Sequence, residues 1–191
     1  VITAANAAVK TGKLRQLASG AIYDSKKNAI PVHDAKLEVL SDLVDESMGM
    51  PMIIGYEFKH ELPRILSVLP KGSHTRAVND KNIDGVIQDW RNDKVDYIVA
   101  QMGSNAHGLN LQRRDAVIVM FTVPWSFDIY EQFIQRLWRS GQETAVTLIR
   151  LMMENSVDYD VVSNIHMFGS GQAAILDAFK TSRCKARATR G

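Results

Sequence analysis

One cysteine, Cys184, stands in the 191 residues, so no disulfide can close within the chain, and a reducing compartment is the simple setting for it. The longest apolar runs, 116–121 and 51–54, fall far short of the ~20 residues that span a bilayer. The first eight residues carry no charge, so the start of a secretory signal is missing. Five histidines are scattered and have no cysteine pair beside them, which leaves zinc without ligand spacing. Glycine-rich dinucleotide fingerprints are absent too. Thr11-Gly12-Lys13 imitates the heart of a phosphate loop. However, Ala7 stands where the loop needs its first glycine, and Leu14 where it needs Ser or Thr. No strand closes on an acid suited to a nucleotide's magnesium, and Gly169-Ser170-Gly171 lacks the spacing of a nucleophile elbow. The chain has no complete catalytic kit of its own.

What is present is the balance of an ordinary globular domain, 46% hydrophobic and 23% charged. That excludes disorder, collagen and a disulfide scaffold. A chain of this length buries roughly 70% of its unfolded surface without staples. These features together predict a soluble intracellular domain with no membrane partner. Net charge is only +2, too little to name a nucleic-acid partner. Its distribution is uneven: acids dominate from Asp34 to Glu61, and Lys180, Arg183, Lys185, Arg187 and Arg190 follow the last acid, Asp177. That tail is either a phosphate contact or a solvated end. The chain begins at Val1 rather than Met, and a piece of a longer protein is expected.

Periodicity predicts a helix from Thr3 to Ser19 stopped by Gly20, then a hairpin of 21–23 and 29–32 around the turn-rich 24–28. Asp34 is the expected N-cap of a helix carrying Leu37, Leu40, Leu43 and Val44. Short apolar strands then alternate with helices: strands at 51–56, 75–78, 95–100, 116–121 and 145–151, and helices at 59–69, around Ile83–Trp90, at 127–139 and near Val161–Phe168. Such alternation predicts an α/β fold with a parallel sheet covered on both faces and helical additions at each end. The expected divisions are 1–33 (helix and hairpin), 34–155 (the α/β lobe) and 156–191 (C-terminal helices and basic tail).

Two segments carry chemistry. In Tyr130–Gln142 (YEQFIQRLWRSGQ), Gln132, Arg136 and Arg139 share one helical face. Phe127, Tyr130, Ile134 and Leu137 fall on the other. On spacing alone this is either a solvated basic face or a pair of guanidiniums aimed at phosphate oxygens; the stop at Ser140-Gly141 beside a sheet edge favours the second. The other segment is the loop Gln101–Leu111, with Gly103, Gly108, Ser104, Asn105 and Asn110, following an apolar strand. Ligands of open α/β sheets sit at that end of the strands.

In this order the pieces resemble a family. Gly108-Leu109-Asn110-Leu111, an apolar strand, Pro124-Trp125 and Gln132-x3-Arg136-x2-Arg139-x-Gly141-Gln142 look like motifs five and six of the Swi/Snf branch of superfamily-two helicases. Residues 51–59 resemble motif four, and Arg15-Gln16-Leu17-Ala18 resembles the leucine-arginine-glutamine stretch that precedes this lobe. The compact form is similar to phage and bacterial members. The sequence departs from the family at Gln101-Met102 and at Ser104-Asn105-Ala106.

The resemblance implies a RecA-like second lobe that completes an ATP site built mainly by a first lobe of the same parent chain. That first lobe would hold ATP and Mg2+. Arg139 would be the arginine finger and Arg136 its neighbour, with Gln132, Gly108 and Asn110 on the nucleotide side. Gln101, Ser104, Lys59 and His60 would face DNA, expected to be duplex and read without regard to sequence. The chain alone is expected to be inactive, and its setting is the cytoplasm of a bacterium or phage-infected host. Two other readings stay open: a non-catalytic module that grips DNA or a protein, and a small-molecule enzyme clamping an acidic substrate with Arg136 and Arg139.

Overall fold

The structure, a computed structural model, describes residues 7–78, 82–103, 111, 116–137 and 147–169, with the backbone alone at Ala7, Arg136 and Leu137. Helix α1 (Ala7–Ala18) leads into a two-stranded antiparallel hairpin, β1 (Ala21–Tyr23) and β2 (Ala29–Pro31). Thr11-Gly12-Lys13 lies inside α1, and the Lys13 ammonium binds the Tyr23 carbonyl. The phosphate-loop likeness is therefore spent on holding the hairpin. Gly20, at φ +94°, turns the chain out of α1, and a Cβ there would stand 2.3 Å from the His33 carbonyl oxygen. Only glycine combines that backbone with that approach.

After α2 (Ala35–Glu46) come β3 (Met52–Tyr56), α3 (Glu61–Val68), β4 (Thr75–Ala77), α4 (Ile83–Arg91), β5 (Tyr97–Gln101), β6 (Val117–Met120), α5 (Phe127–Leu137) and β7 (Thr147–Arg150). The five strands from β3 onward form one parallel sheet in the order β4-β5-β3-β6-β7. The expected α/β, RecA-like architecture is the one observed. Residues 158–169 are helical as well.

Both faces of the central strands β3, β5 and β6 are covered, which is why these strands read as apolar runs. Met52, Ile54, Tyr56, Val99, Val119 and Phe121 pack with α2 and α3 through Leu37, Leu40 and Ile65. The alternate residues Ile53, Ile98, Ile118 and Met120 pack with α4 and α5 through Trp90 and Phe133, joined by Val161 and Ile165. Trp90 is a core residue, fully buried, and its indole N–H donates to the Leu111 carbonyl at 3.0 Å.

One cap differs from expectation. Asp34 occupies the N-cap position of α2, but its side chain makes no capping bond. Its carboxylate accepts instead from the Arg64 guanidinium at 2.8 Å. Arg64 also donates to the carbonyls of Ser19 (2.9 Å) and His33 (2.6 Å). A cation that ties three carbonyl or carboxylate acceptors together competes successfully with a single cap bond.

Candidate functional site at the carboxyl edge of the sheet

The chain crosses over β3 between β5 and β6, so the carboxyl ends of β5, β3 and β6 lie side by side. Backbone bonds continue the pairing past the strands: Met102 N–H donates to Tyr56 C=O and Phe121 N–H to Gly55 C=O, each at 2.9 Å. In open α/β sheets this edge is the usual ligand crevice.

A fully buried carboxylate organises that edge. Glu61, the first residue of α3, accepts from the N–H groups of Glu57 (2.8 Å) and Phe58 (2.9 Å) with one oxygen. Its other oxygen accepts from the Thr122 hydroxyl just beyond β6, at 2.5 Å. Burial raises the Glu61 pKa, while the Thr122 hydroxyl and the two N–H donors oppose the shift. The acid therefore links the end of β6 to the loop that leaves β3. Nothing in the local sequence pattern marks it, because a Glu at the start of a helix ordinarily faces solvent.

Arg15, from α1, reaches the same loop. Its guanidinium chelates the Glu57 carboxylate with both terminal nitrogens, Nη1 to Oε1 at 2.9 Å. Nη2 also donates to the Val123 carbonyl at 2.9 Å, and the group lies 5.6 Å from the Phe58 ring centroid. Gln101, at the end of β5, donates its side-chain amide to the Glu57 carbonyl at 2.8 Å. Among the residues expected to face DNA, Gln101 is thus joined directly to the loop bearing Lys59 and His60.

Lys59 is exposed on that loop. His60 is not: it is 6% exposed, its ring stacked on Phe58 (5.6 Å between centroids) and edge-on to Tyr23 (5.1 Å). Neither ring nitrogen has a hydrogen-bond partner among the described residues. Burial, with the Arg64 charge second, pushes the pKa down to about 4, so the ring is neutral at physiological pH. Its backbone N–H donates to the Tyr23 hydroxyl at 2.9 Å.

On the side of the edge expected to meet nucleotide, α5 is seated by Phe133 and Tyr130, both buried. Phe133, which the motif pattern passes over, is the anchor that meets β3. A Cβ at Gly55 in β3 would lie 2.8 Å from its ring, so the glycine lets the helix lie directly on the central strand. Gln132 is exposed on α5, and Arg136 follows one turn later on the same helix. The side chain of Arg136 and the whole of Arg139, Gly108, Asn110 and Ser104 lie outside the described residues. Among the described residues, no group of three or more His, Cys, Asp or Glu could hold a metal ion. No helix there is long and apolar enough to cross a membrane.

A RecA-like sheet with this edge is what a helicase lobe uses, and the helicase conserved C-terminal domain matches residues 35–141, more than half of the chain. The chain belongs to that family. This helicase C-terminal domain is 35% identical over 188 residues to a protein designated p41 from Acyrthosiphon pisum secondary endosymbiont phage 1. The match takes in 94% of the present chain and 39% of p41, so the chain spans about two fifths of that relative. In fold it is similar to the C-terminal part of the Fun30 ATPase domain (TM-score 0.59, 17% identity, 68% of this chain and 44% of that one). It is also similar to the C-terminal domain of the DEAD-box protein Dbp5 (TM-score 0.57, 18% identity, 71% and 79%). The helicase domain of Pyrococcus furiosus Hef gives a TM-score of 0.52 at 16% identity, over 69% of this chain and 27% of that one. At these identities the shared property is the fold.

Proposed function

We propose that this helicase C-terminal domain is the second motor lobe of an ATP-dependent DNA translocase of the Swi/Snf type, from a phage or bacterial parent. The observation that carries the reading is the seating of α5, with Gln132 and Arg136 one turn apart, against the carboxyl edge of a RecA-like sheet in a chain of this family. The donors this lobe would turn to a triphosphate are the Gln132 amide and the guanidiniums of Arg136 and Arg139. Each offers N–H donors, and none carries the anionic oxygen that a Mg2+ site prefers. They suit the phosphate oxygens and leave the metal to the carboxylates of a first lobe in the same parent chain.

ATP supplies the γ-phosphoryl group whose transfer to water drives the cycle. Arg139 stabilises the charge that develops there, Arg136 supports it, and Gln132 orders the pair. Gly108 allows the loop after β5 to approach the nucleotide, and Asn110 meets its ribose side. On the opposite part of the edge, Lys59, Gln101 and Ser104 hold DNA phosphates without reading bases. His60, buried and neutral, shapes the loop that presents Lys59. Lobe closure on ATP and reopening after hydrolysis then move the grip along duplex DNA. The setting is the cytoplasm of a bacterium or an infected host.

The test is DNA-stimulated ATP hydrolysis by the full-length protein with Arg139→Ala. Loss of an arginine finger lowers kcat by ~10³ or more, with DNA affinity retained. Unchanged turnover refutes the assignment and leaves a non-catalytic DNA- or protein-binding lobe.

A further inference from the structure

The matched family region starts at residue 35, yet two of the groups that fix the 57–60 loop come from residues before it. Arg15 chelates the Glu57 carboxylate and binds the Val123 carbonyl, and Tyr23 receives the His60 N–H. The unit that supplies them is itself tightly built. Lys13 binds the Tyr23 carbonyl, and Gln16 accepts from the Tyr23 N–H at 3.1 Å. Arg64 of α3 ties down Ser19 and His33 at the two ends of the hairpin. Residues 7–33 are thereby tied to the loop by polar bonds together with the Tyr23–His60 ring contact.

Arg15 is only 6% exposed although charged. A cation is seldom kept from water unless geometry demands it. Here the planar fork binds both oxygens of one carboxylate and a carbonyl beyond β6 together, a bidentate geometry that an ammonium cannot reproduce. The ends of β3 and β6 are held in register at the point where the loop turns outward to Lys59.

We propose that Arg15 and Glu57 are a positioning pair. Through them α1 and the hairpin hold the 57–60 loop in the shape that binds nucleic-acid phosphate, making this N-terminal unit a working part of the DNA grip. The inference rests on the translocase reading above. Neither residue touches DNA or nucleotide; both act through the backbone and Lys59 of the loop.

The experiment measures ATP hydrolysis by the full-length protein against the concentration of a linear duplex DNA of mixed sequence. Arg15→Lys, Arg15→Met and Glu57→Gln are compared with the parent protein. Positioning predicts that all three raise the half-saturating DNA concentration by about tenfold, the scale of a lost charge-assisted bond. The DNA-free rate and the rate at saturating DNA should stay within about twofold of the parent. Glu57→Gln preserves shape and guards against an Arg15 variant that does not fold.

A bare charge effect gives a different pattern. Removing the Glu57 charge would then tighten DNA binding, and Arg15→Lys would be silent; either result overturns the pair as a positioning device. Unchanged half-saturation in all variants overturns it too. So does a fall in the DNA-free rate that matches the fall with DNA, because that marks general damage. A parent protein whose hydrolysis ignores DNA altogether removes the translocase reading first, and the positioning role with it.

Discussion

Replacing Gly55 by alanine would put a methyl group 2.8 and 2.9 Å from two ring carbons of Phe133 and 3.0 Å from the Met102 sulfur. Comfortable carbon contacts lie near 3.5–4.0 Å, so the overlap is on the order of 0.5–1 Å. Phe133 and Met102 are themselves almost fully buried, and β3 is hydrogen-bonded on both sides, so neither partner can step aside cheaply. Overpacking of this kind costs about 1–3 kcal/mol, which lowers the midpoint of thermal unfolding by roughly 3–10 °C in a chain of this size.

Phe133→Leu alone loses packing, on the order of 1 kcal/mol. In the double variant the new methyl enters the space the ring has left. The two losses should then fail to add, with a favourable coupling of about 0.5–3 kcal/mol. Urea unfolding of the four proteins, followed by far-UV circular dichroism, measures the cycle. Additive losses, or a neutral Gly55→Ala, would refute the claim that α5 rests on the bare strand at this position.

The Lys36–Asp158 pair joins α2 to the helical segment 158–169, with both side chains at most 4% exposed. Lys36→Met should destabilise by about 3–5 kcal/mol in urea titration, because it strands a buried carboxylate; adding Asp158→Leu should recover most of that. The recovery stays incomplete, since Asp158 also accepts the Met153 N–H at 2.9 Å. For His60, burial holds the folded pKa at about 4 against an ordinary 6.5, so between those values the unfolded chain binds a proton that the folded chain refuses. Stability should therefore fall as pH drops through that window, and His60→Phe should flatten the slope of melting temperature between pH 7 and 5. Glu61, whose pKa is raised, acts with the opposite sign, its contribution lost as pH rises through its folded value; an unaltered slope in His60→Phe would refute the histidine's share.

Alternation of apolar runs with amphipathic stretches made the order of strands and helices legible, because the central strands β3, β5 and β6 are covered on both faces and α2 to α5 each turn an apolar stripe to the sheet. The bounds moved by a few residues where polar ends stay outside the ladder: Lys59 and His60, expected in a helix, precede α3. The buried Glu61, the Arg15 fork and Phe133 were not legible as parts of one edge. Their partners lie 61, 42 and roughly eighty positions away in sequence respectively, beyond the reach of any local period.

By itself the sequence determined the α/β class and the helix that carries Gln132 and Arg136 one turn apart. Those depend on residue type and short-range spacing, which chain geometry converts into faces directly. Only tertiary structure decided that α1 and the hairpin grip the 57–60 loop, that His60 is a neutral buried ring, and that Asp34 serves Arg64 instead of capping α2. Each of these outcomes depends on which distant groups win the place beside a polar side chain once water is excluded. That competition is settled by the packing of the whole domain.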